Sequence, residues 1–183
     1  MKKEIVKGKF VSHERGFGFV ELEGNANDIF IPPNATKGSM NGDIVKVKID
    51  KYAINGNRAE GTIVEIEKRA NDMVIGNYQK SKNFGFVVPD DTKLGTDIFI
   101  AKSHHQKAKN GDKVVVKITK YPEKDHSAEG QIVEILGKAK DTSVDLISVI
   151  RAHHYHLDFP KAVEKEAKLL PEVIHGIENR VDL

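Results

Sequence analysis

Val45, Val47 and Ile49 alternate with Lys46, Lys48 and Asp50, a period of two that puts one face of a strand inside and the other in water. Val114, Val116 and Ile118 repeat the pattern against Lys113, Val115 and Lys117. Gly-Asp pairs precede both stretches, and polar runs such as Glu23-Gly24-Asn25-Ala26-Asn27 mark turns between others. The pattern predicts strands over about 5–11, 16–22, 27–31, 43–50 and 57–66, then about 72–79, 84–89, 96–100, 112–120 and 127–136. Beyond them the period becomes helical. Ser143 is placed to cap a helix with Val144, Ile147 and Ile150 on one face, and Pro160 suits the first turn of another carrying Val163, Ala167 and Leu170. Such helices need a surface to bury against, so the tail is expected to be partly disordered, packed on a barrel, or in contact with another molecule.

The strands belong to a duplication. Asp28-Ile29-Phe30-Ile31 recurs as Asp97-Ile98-Phe99-Ile100, Asn41-Gly42-Asp43 as Asn110-Gly111-Asp112, and Ala59-Glu60-Gly61 as Ala128-Glu129-Gly130, all at an offset of 69. Phe17-Gly18-Phe19-Val20 recurs as Phe84-Gly85-Phe86-Val87 at an offset of 67, so the second copy is two residues shorter before this motif and longer after it. Five short strands in about 70 residues predict a small closed antiparallel barrel of the OB type, whose second and third strands form the usual oligonucleotide face. The expected fold is all-β, with one barrel over residues 1–68, a second over 69–138, and a helical segment over 139–183. The linker Lys68-Arg69-Ala70-Asn71 is too short for free tumbling, which limits the orientations the barrels can take.

Both Phe-Gly-Phe motifs fall on that second strand. Phe17 and Phe19 point the same way, and Gly18 leaves the opposite face bare. Paired aromatics on a strand are either core or a platform on which unpaired bases stack. A basic residue before each pair (Arg15, Lys82) and the aromatic strand that follows each favour the platform.

Composition narrows the partners. Hydrophobic residues make up 39% and charged residues 31% of 183, as in a soluble globular protein. The chain has no Cys, so disulfides and thiolate zinc sites are excluded and a reducing compartment fits. No apolar run follows Met1-Lys2-Lys3-Glu4-Ile5, so neither a leader nor a membrane span is expected and the cytoplasm is the default location. The net charge of +2 divides into +1, +3 and −2 over the three segments. That is too little for a duplex binder that relies on neutralising phosphates, and it leaves room for one that relies on stacking.

Arg15-Gly16-Phe17-Gly18-Phe19-Val20 resembles the first RNA-binding motif of bacterial cold-shock proteins, and Ile29-Phe30-Ile31 the second. Lys9-Phe10 falls where that family has a Lys followed by a stacking aromatic. Tyr78, Lys82 and Phe99 take the places of Phe10, the motif's basic residue and Phe30 in the second copy. Tandem domains of this kind followed by Ile150-Arg151-Ala152-His153 and Phe159-Pro160 resemble the ribonuclease R and wider exoribonuclease II family. The resemblance implies barrels that feed single-stranded RNA to a catalytic domain, where aspartates holding magnesium hydrolyse it from the 3′ end. That domain, a partner of the barrels, is expected to begin about where Arg180-Val181-Asp182-Leu183 stands, so no enzyme activity and no cofactor are expected of this segment. Pro32 and Ala101 stand where cold-shock proteins often have a His, and Asn83 replaces the first Gly of the motif.

On this reading Phe17, Phe19 and Phe30, and likewise Phe84, Phe86 and Phe99, each stack a base at about 1–3 kcal/mol. Three mid-range stacks give about 6 kcal/mol where micromolar affinity needs about 8, so one barrel binds weakly and two joined barrels gain avidity. Lys9, Arg15, Lys80 and Lys82 would touch phosphates. Other readings stay open: a stand-alone RNA chaperone, or a protein-docking adaptor built on the same barrels. A nuclease within this chain lacks an acidic cluster or a nucleophile–base arrangement. Asp90-Asp91 with Asp97 reads as a solvated turn in preference to a metal site. The stretch Lys102-Ser103-His104-His105-Gln106-Lys107-Ala108-Lys109 fits a phosphate-grazing loop and an inert one equally. His153, His154 and His156 lack the Cys or carboxylate that a metal site would need.

Overall fold

The computed structural model of the chain describes residues 4–22, 24, 27–53, 58–123, 126–152 and 161–170. Strands β1 (Ile5–Ser12), β2 (Gly18–Leu22), β3 (Ile29–Ile31), β4 (Ile44–Lys51) and β5 (Glu60–Lys68) close one barrel in the order β1-β2-β3-β5-β4. Strands β6 (Met73–Lys80), β7 (Phe84–Pro89), β8 (Ile98–Ala101), β9 (Asp112–Lys120) and β10 (Glu129–Lys138) close a second with the equivalent neighbours. Every predicted strand is present, with ends moved by at most three residues. The barrels are not wholly antiparallel: β3–β5 and β8–β10 run parallel. A ring of five strands cannot alternate direction all the way round, so one pair in each must.

Alternation sorts the side chains as expected. Val45 and Val47 are buried with Val20, Ile29, Ile31 and Ile63 in the first core. Val114 and Val116 are buried with Val87, Ile98, Ile100 and Ile132 in the second. The resemblance placed Phe10 and Tyr78 among the stacking aromatics, and the structure corrects this: they are 1% and 2% exposed, among the largest side chains of the two cores. The cause lies one strand away. A Cβ on Gly18 would fall on the Phe10 ring, and one on Gly85 on the Tyr78 ring. The bare inner face of each Phe-Gly-Phe motif is therefore the slot that the β1 or β6 aromatic fills. Burial accordingly pushes the Tyr78 phenol above its ordinary pKa.

The barrels are stitched together at the linker. The Asp43 carboxylate is fully buried and accepts from the Met40 amide (2.9 Å), the Ala70 amide (2.8 Å) and the Arg69 guanidinium (2.9 Å). Arg69 also donates to the Gly38 carbonyl at 2.8 Å and lies 4.1 Å over the ring of Tyr121, whose hydroxyl donates to the Asn71 carbonyl at 2.9 Å. Asn71 returns a bond to the Asn41 carbonyl at 2.6 Å. Met40 is buried in the core cluster of the second barrel, and the Ser12 hydroxyl donates to the Lys93 carbonyl. The limited orientations expected of a short linker are thus one packed arrangement.

The duplication supplies an internal control. Gly38, Met40 and Arg69 touch the second barrel, and their counterparts one repeat later are Lys107, Lys109 and Lys138, all exposed. Gly38 and Lys107 share a left-handed backbone, at φ +70° and +63°. Backbone strain alone does not demand Gly here, since a Lys is accepted at the same conformation. The Pro122 carbonyl of the other barrel does, because it would lie inside contact distance of a Cβ on residue 38.

Helix α1 (Thr142–Ala152) packs on β10 and β6, so of the expectations for the tail, packing on a barrel holds for this segment. Val144 lies over Gly137, where a Cβ would come within 2.7 Å of it, and Arg151 pairs with Glu134 at 3.1 Å. The cap is Asp141 in place of Ser143: its carboxylate accepts from the Ser143 hydroxyl (2.8 Å) and amide (3.0 Å), which hold it below the ordinary carboxylate range. Helix α2 (Lys161–Ala167) is exposed throughout. His153, His154, His156, Pro160 and residues 180–183 lie outside the described residues.

Making the first loop like the second tests the interface. Gly38→Lys is expected to lower stability in urea unfolding by about 2 kcal/mol or more, while Lys107→Gly changes it by less than about 1; equal effects would exclude the Pro122 contact as the reason for Gly. Acid supplies a second test. Burial raises the Asp112 carboxyl, but hydrogen bonds from Lys138 and the Lys109 amide outweigh it and hold the group below its ordinary range. A depressed carboxyl contributes stability above its unfolded pKa that is lost as pH falls through the folded one. Stability should therefore drop more steeply below about pH 4 in the wild type than in Asp112→Asn.

Candidate nucleic-acid interface

Strand register builds one aromatic surface on the outside of each barrel. Val11, Phe19 and Phe30 are consecutive partners across β1, β2 and β3. Val20, Ile29 and Ile31 have the opposite parity and fill the core, so Phe19 and Phe30 face outward as neighbours. Phe17 precedes β2 in a hairpin closed by His13, whose amide donates to the Phe17 carbonyl at 2.8 Å while the Gly16 amide donates to the His13 carbonyl at 2.9 Å. Gly16 makes that turn at φ +86°. The three rings contact one another, with centroids 5.8 Å (Phe17–Phe19), 5.6 Å (Phe17–Phe30) and 5.7 Å (Phe19–Phe30) apart.

The second barrel repeats the surface. Phe86 is opposite Phe99, Phe84 is opposite Ala101, and the centroids are 5.2 Å (Phe84–Phe86), 5.8 Å (Phe84–Phe99) and 6.0 Å (Phe86–Phe99) apart. Five of the six rings are half-buried, and Phe84 is 37% exposed. All six lie outside the cores, resting on one another with part of each ring in water.

The predicted cations do not form a matched set. Lys9 is exposed on β1 opposite Glu21, and Arg15 and Lys82 are exposed in the two hairpins. Lys80 does not occupy the place of Lys9. Its amide donates to Asn110 Oδ1 at 3.0 Å as the Ser12 amide does to Asn41 Oδ1 at 3.2 Å, so Lys80 is the counterpart of Ser12 at the strand's end. Asn77, half-buried in β6, stands where the first barrel has Lys9.

Two residues beside the rings were missed. The His13 ring stacks on Phe17 at 4.3 Å and 12°, and the Arg58 guanidinium lies 4.9 Å over Phe19. His13 had a signal, since it closes the hairpin that presents Phe17. Arg58 had none, because only barrel closure brings it to β2.

Local hydrogen bonds shape the loops that carry the other described candidates. Asp91 Oδ1 accepts from the Lys93 amide at 2.9 Å, Gly95 closes that turn at φ +73°, and Asp90 takes two bonds from Lys113 at 2.7 and 2.9 Å. His105 Nδ1 accepts from the Lys107 amide at 3.0 Å within its loop. Among the described residues no group of three or more His, Cys, Asp or Glu is placed to hold a metal ion. No helix among them is long and apolar enough to cross a membrane.

Comparison with known proteins bears on the two barrels as domains. The sequence profile of the ribonuclease B OB domain matches residues 8–66, and that of the cold shock domain matches residues 86–160. Ribonuclease R of Aquifex aeolicus is 33% identical over 99% of this chain and 25% of its own length, and that of Escherichia coli 32% identical over 98% and 22%. The chain thus spans about a quarter of the length of the curated relatives it matches. Among solved structures, Mycoplasma genitalium RNase R in complex with ribose methylated single-stranded RNA superposes with a TM-score of 0.77 over 91% of this chain and 27% of that one, at 16% identity. Yeast Ssd1, a pseudonuclease, does so at 0.67 over 82% of this chain and 25% of that one, also at 16%. At that identity the superpositions speak for the fold alone. With both barrels matched in order and relatives aligned over nearly every residue, the chain is homologous to the tandem OB and cold-shock region of ribonuclease R.

Proposed function

We propose that this chain binds single-stranded RNA by base stacking, as the RNA-holding part of a ribonuclease R-like 3′–5′ exoribonuclease. The observation that carries the reading is the pair of outward triads, Phe17–Phe19–Phe30 and Phe84–Phe86–Phe99, each a set of touching rings on, or in the first barrel also just before, the strands an OB barrel uses for oligonucleotides. Its support from relatives is that they are named ribonuclease R, and that a protein of the same fold is described in complex with single-stranded RNA. Stacking needs no base-specific edge contacts, so the binding tolerates any sequence. Lys9, Arg15, Lys80 and Lys82 contact the phosphates. The role of the barrels is to hold the strand and feed it onward; hydrolysis, and the magnesium it requires, belong to the family's catalytic domain.

The test is a titration with short oligouridine. Phe86→Ala is expected to weaken binding by about 5- to 150-fold, the span of one lost stack. The slope of log affinity against log salt should be shallow, matching the few phosphate contacts. Phe10→Leu should lower stability and leave the affinity of the folded protein within about twofold, since its ring is core. Unchanged affinity in Phe86→Ala together with Phe19→Ala would refute stacking.

A further inference from the structure

The two platforms share a backbone and differ, among the described residues, in what lies on their rings. The Ser81 amide donates to the Phe84 carbonyl at 2.8 Å just as the His13 amide does to that of Phe17, so Ser81 is the counterpart of His13. The Phe99 amide donates to the Ala128 carbonyl at 2.8 Å as that of Phe30 does to Ala59, which makes Ser127 the counterpart of Arg58. At both posts the first barrel carries a planar π side chain laid on a ring, and the second carries a serine too short to reach one. His13 is nearly parallel to Phe17 at stacking distance, and the guanidinium of Arg58 covers Phe19. His13 takes the position and orientation of a base stacked on Phe17, and Arg58 holds its cation over the Phe19 face that a base would use. In the second barrel Phe84 is the most exposed ring of the six.

We propose that His13 and Arg58 act as built-in occupants of the first platform, so that single-stranded RNA engages the open Phe84–Phe86–Phe99 platform first. The first platform takes a base only when it displaces one of them. This rests on the stacking reading above. A ring face has room for one partner, so a base arriving on Phe17 or Phe19 exchanges an existing contact for its own. Each contact given up reduces affinity at that platform by a factor of about 2 to 10. His13 and Arg58 are positioning residues: they set which barrel the strand meets first.

The full chain tests this with oligouridine binding and with NMR of the His13 ring. Phe84→Ala with Phe86→Ala should weaken binding at least about tenfold, and Phe17→Ala with Phe19→Ala less than about threefold. His13→Ser with Arg58→Ser, which copies the second barrel, should tighten binding by about 3- to 30-fold. That gain should vanish when Phe17→Ala and Phe19→Ala are added. Equal or weaker binding by the double-serine variant overturns the proposal; weaker binding makes His13 or Arg58 an RNA contact instead. In the free wild-type chain the His13 ring protons should be shifted upfield by Phe17 and return toward ordinary positions at saturating oligouridine. Ordinary positions in the free chain overturn the closure without any RNA present. A chain that binds no oligouridine even at low salt overturns the stacking reading itself, and the order of engagement with it.

Discussion

A closed barrel of five short strands has one interior, and every other side chain of each strand must leave it. Phe10 and Tyr78 fill the interior beside Gly18 and Gly85, so the rings on either side of those glycines have only the outside to occupy. The aromatic surface is in that sense a consequence of how the core is packed. The glycine is the hinge of the arrangement: a Cβ there would compete with the inner ring, and the inner ring is what completes the core. Because the outer rings also rest against one another, a surface built this way has little freedom to lose when it takes a ligand.

The union of the two barrels depends on a different kind of interaction. Asp43 is fully buried, and three donors from the loop and the linker converge on its carboxylate. Removing a partner would strand a charge away from water, which is why such a network fixes a geometry more firmly than its net stabilisation suggests. The second copy keeps the acid as Asp112 and replaces Arg69 with Lys138, which is 58% exposed in its side chain. Where no neighbouring barrel must be held, a point charge at the surface serves; where one must, a planar guanidinium both bonds the acid and stacks on Tyr121.

Strands and cores were legible because alternation and burial are both local consequences of the barrel. Legible too was the outward pair Phe17 and Phe19, since parity alone separates it from Val20. The placement of Phe10 and Tyr78 was not, because a resemblance names a position without saying which face it takes. Here parity held the answer: Phe10 pairs with Val20, a core residue, across β1 and β2. A second signal was available in Val114-Val115-Val116, an apolar run that breaks alternation where its counterpart is Val45-Lys46-Val47. Val115 has outward parity yet is buried, and it lies on β9 between the two strands that α1 packs on. The outer apolar residue thus marked the docking place of the helix. Arg58 lay beyond reach, because its contact with Phe19 depends on closing the ring between β3 and β5.

The clamp and the unequal platforms bear on the proposed function together. Linked sites gain from effective concentration, which a flexible linker spreads over many separations and a packed one concentrates at a single span. Here the span is set by contacts such as Gly38 against Pro122, so a strand either fits both platforms or gains nothing from the second. Under the stacking reading, two equally open platforms at a fixed span would hold a strand most tightly. A platform already occupied by His13 and Arg58 returns part of that gain to the chain itself, and release then needs only one strong contact to break. For a strand that must be passed on, a site it can leave matters as much as one it can find.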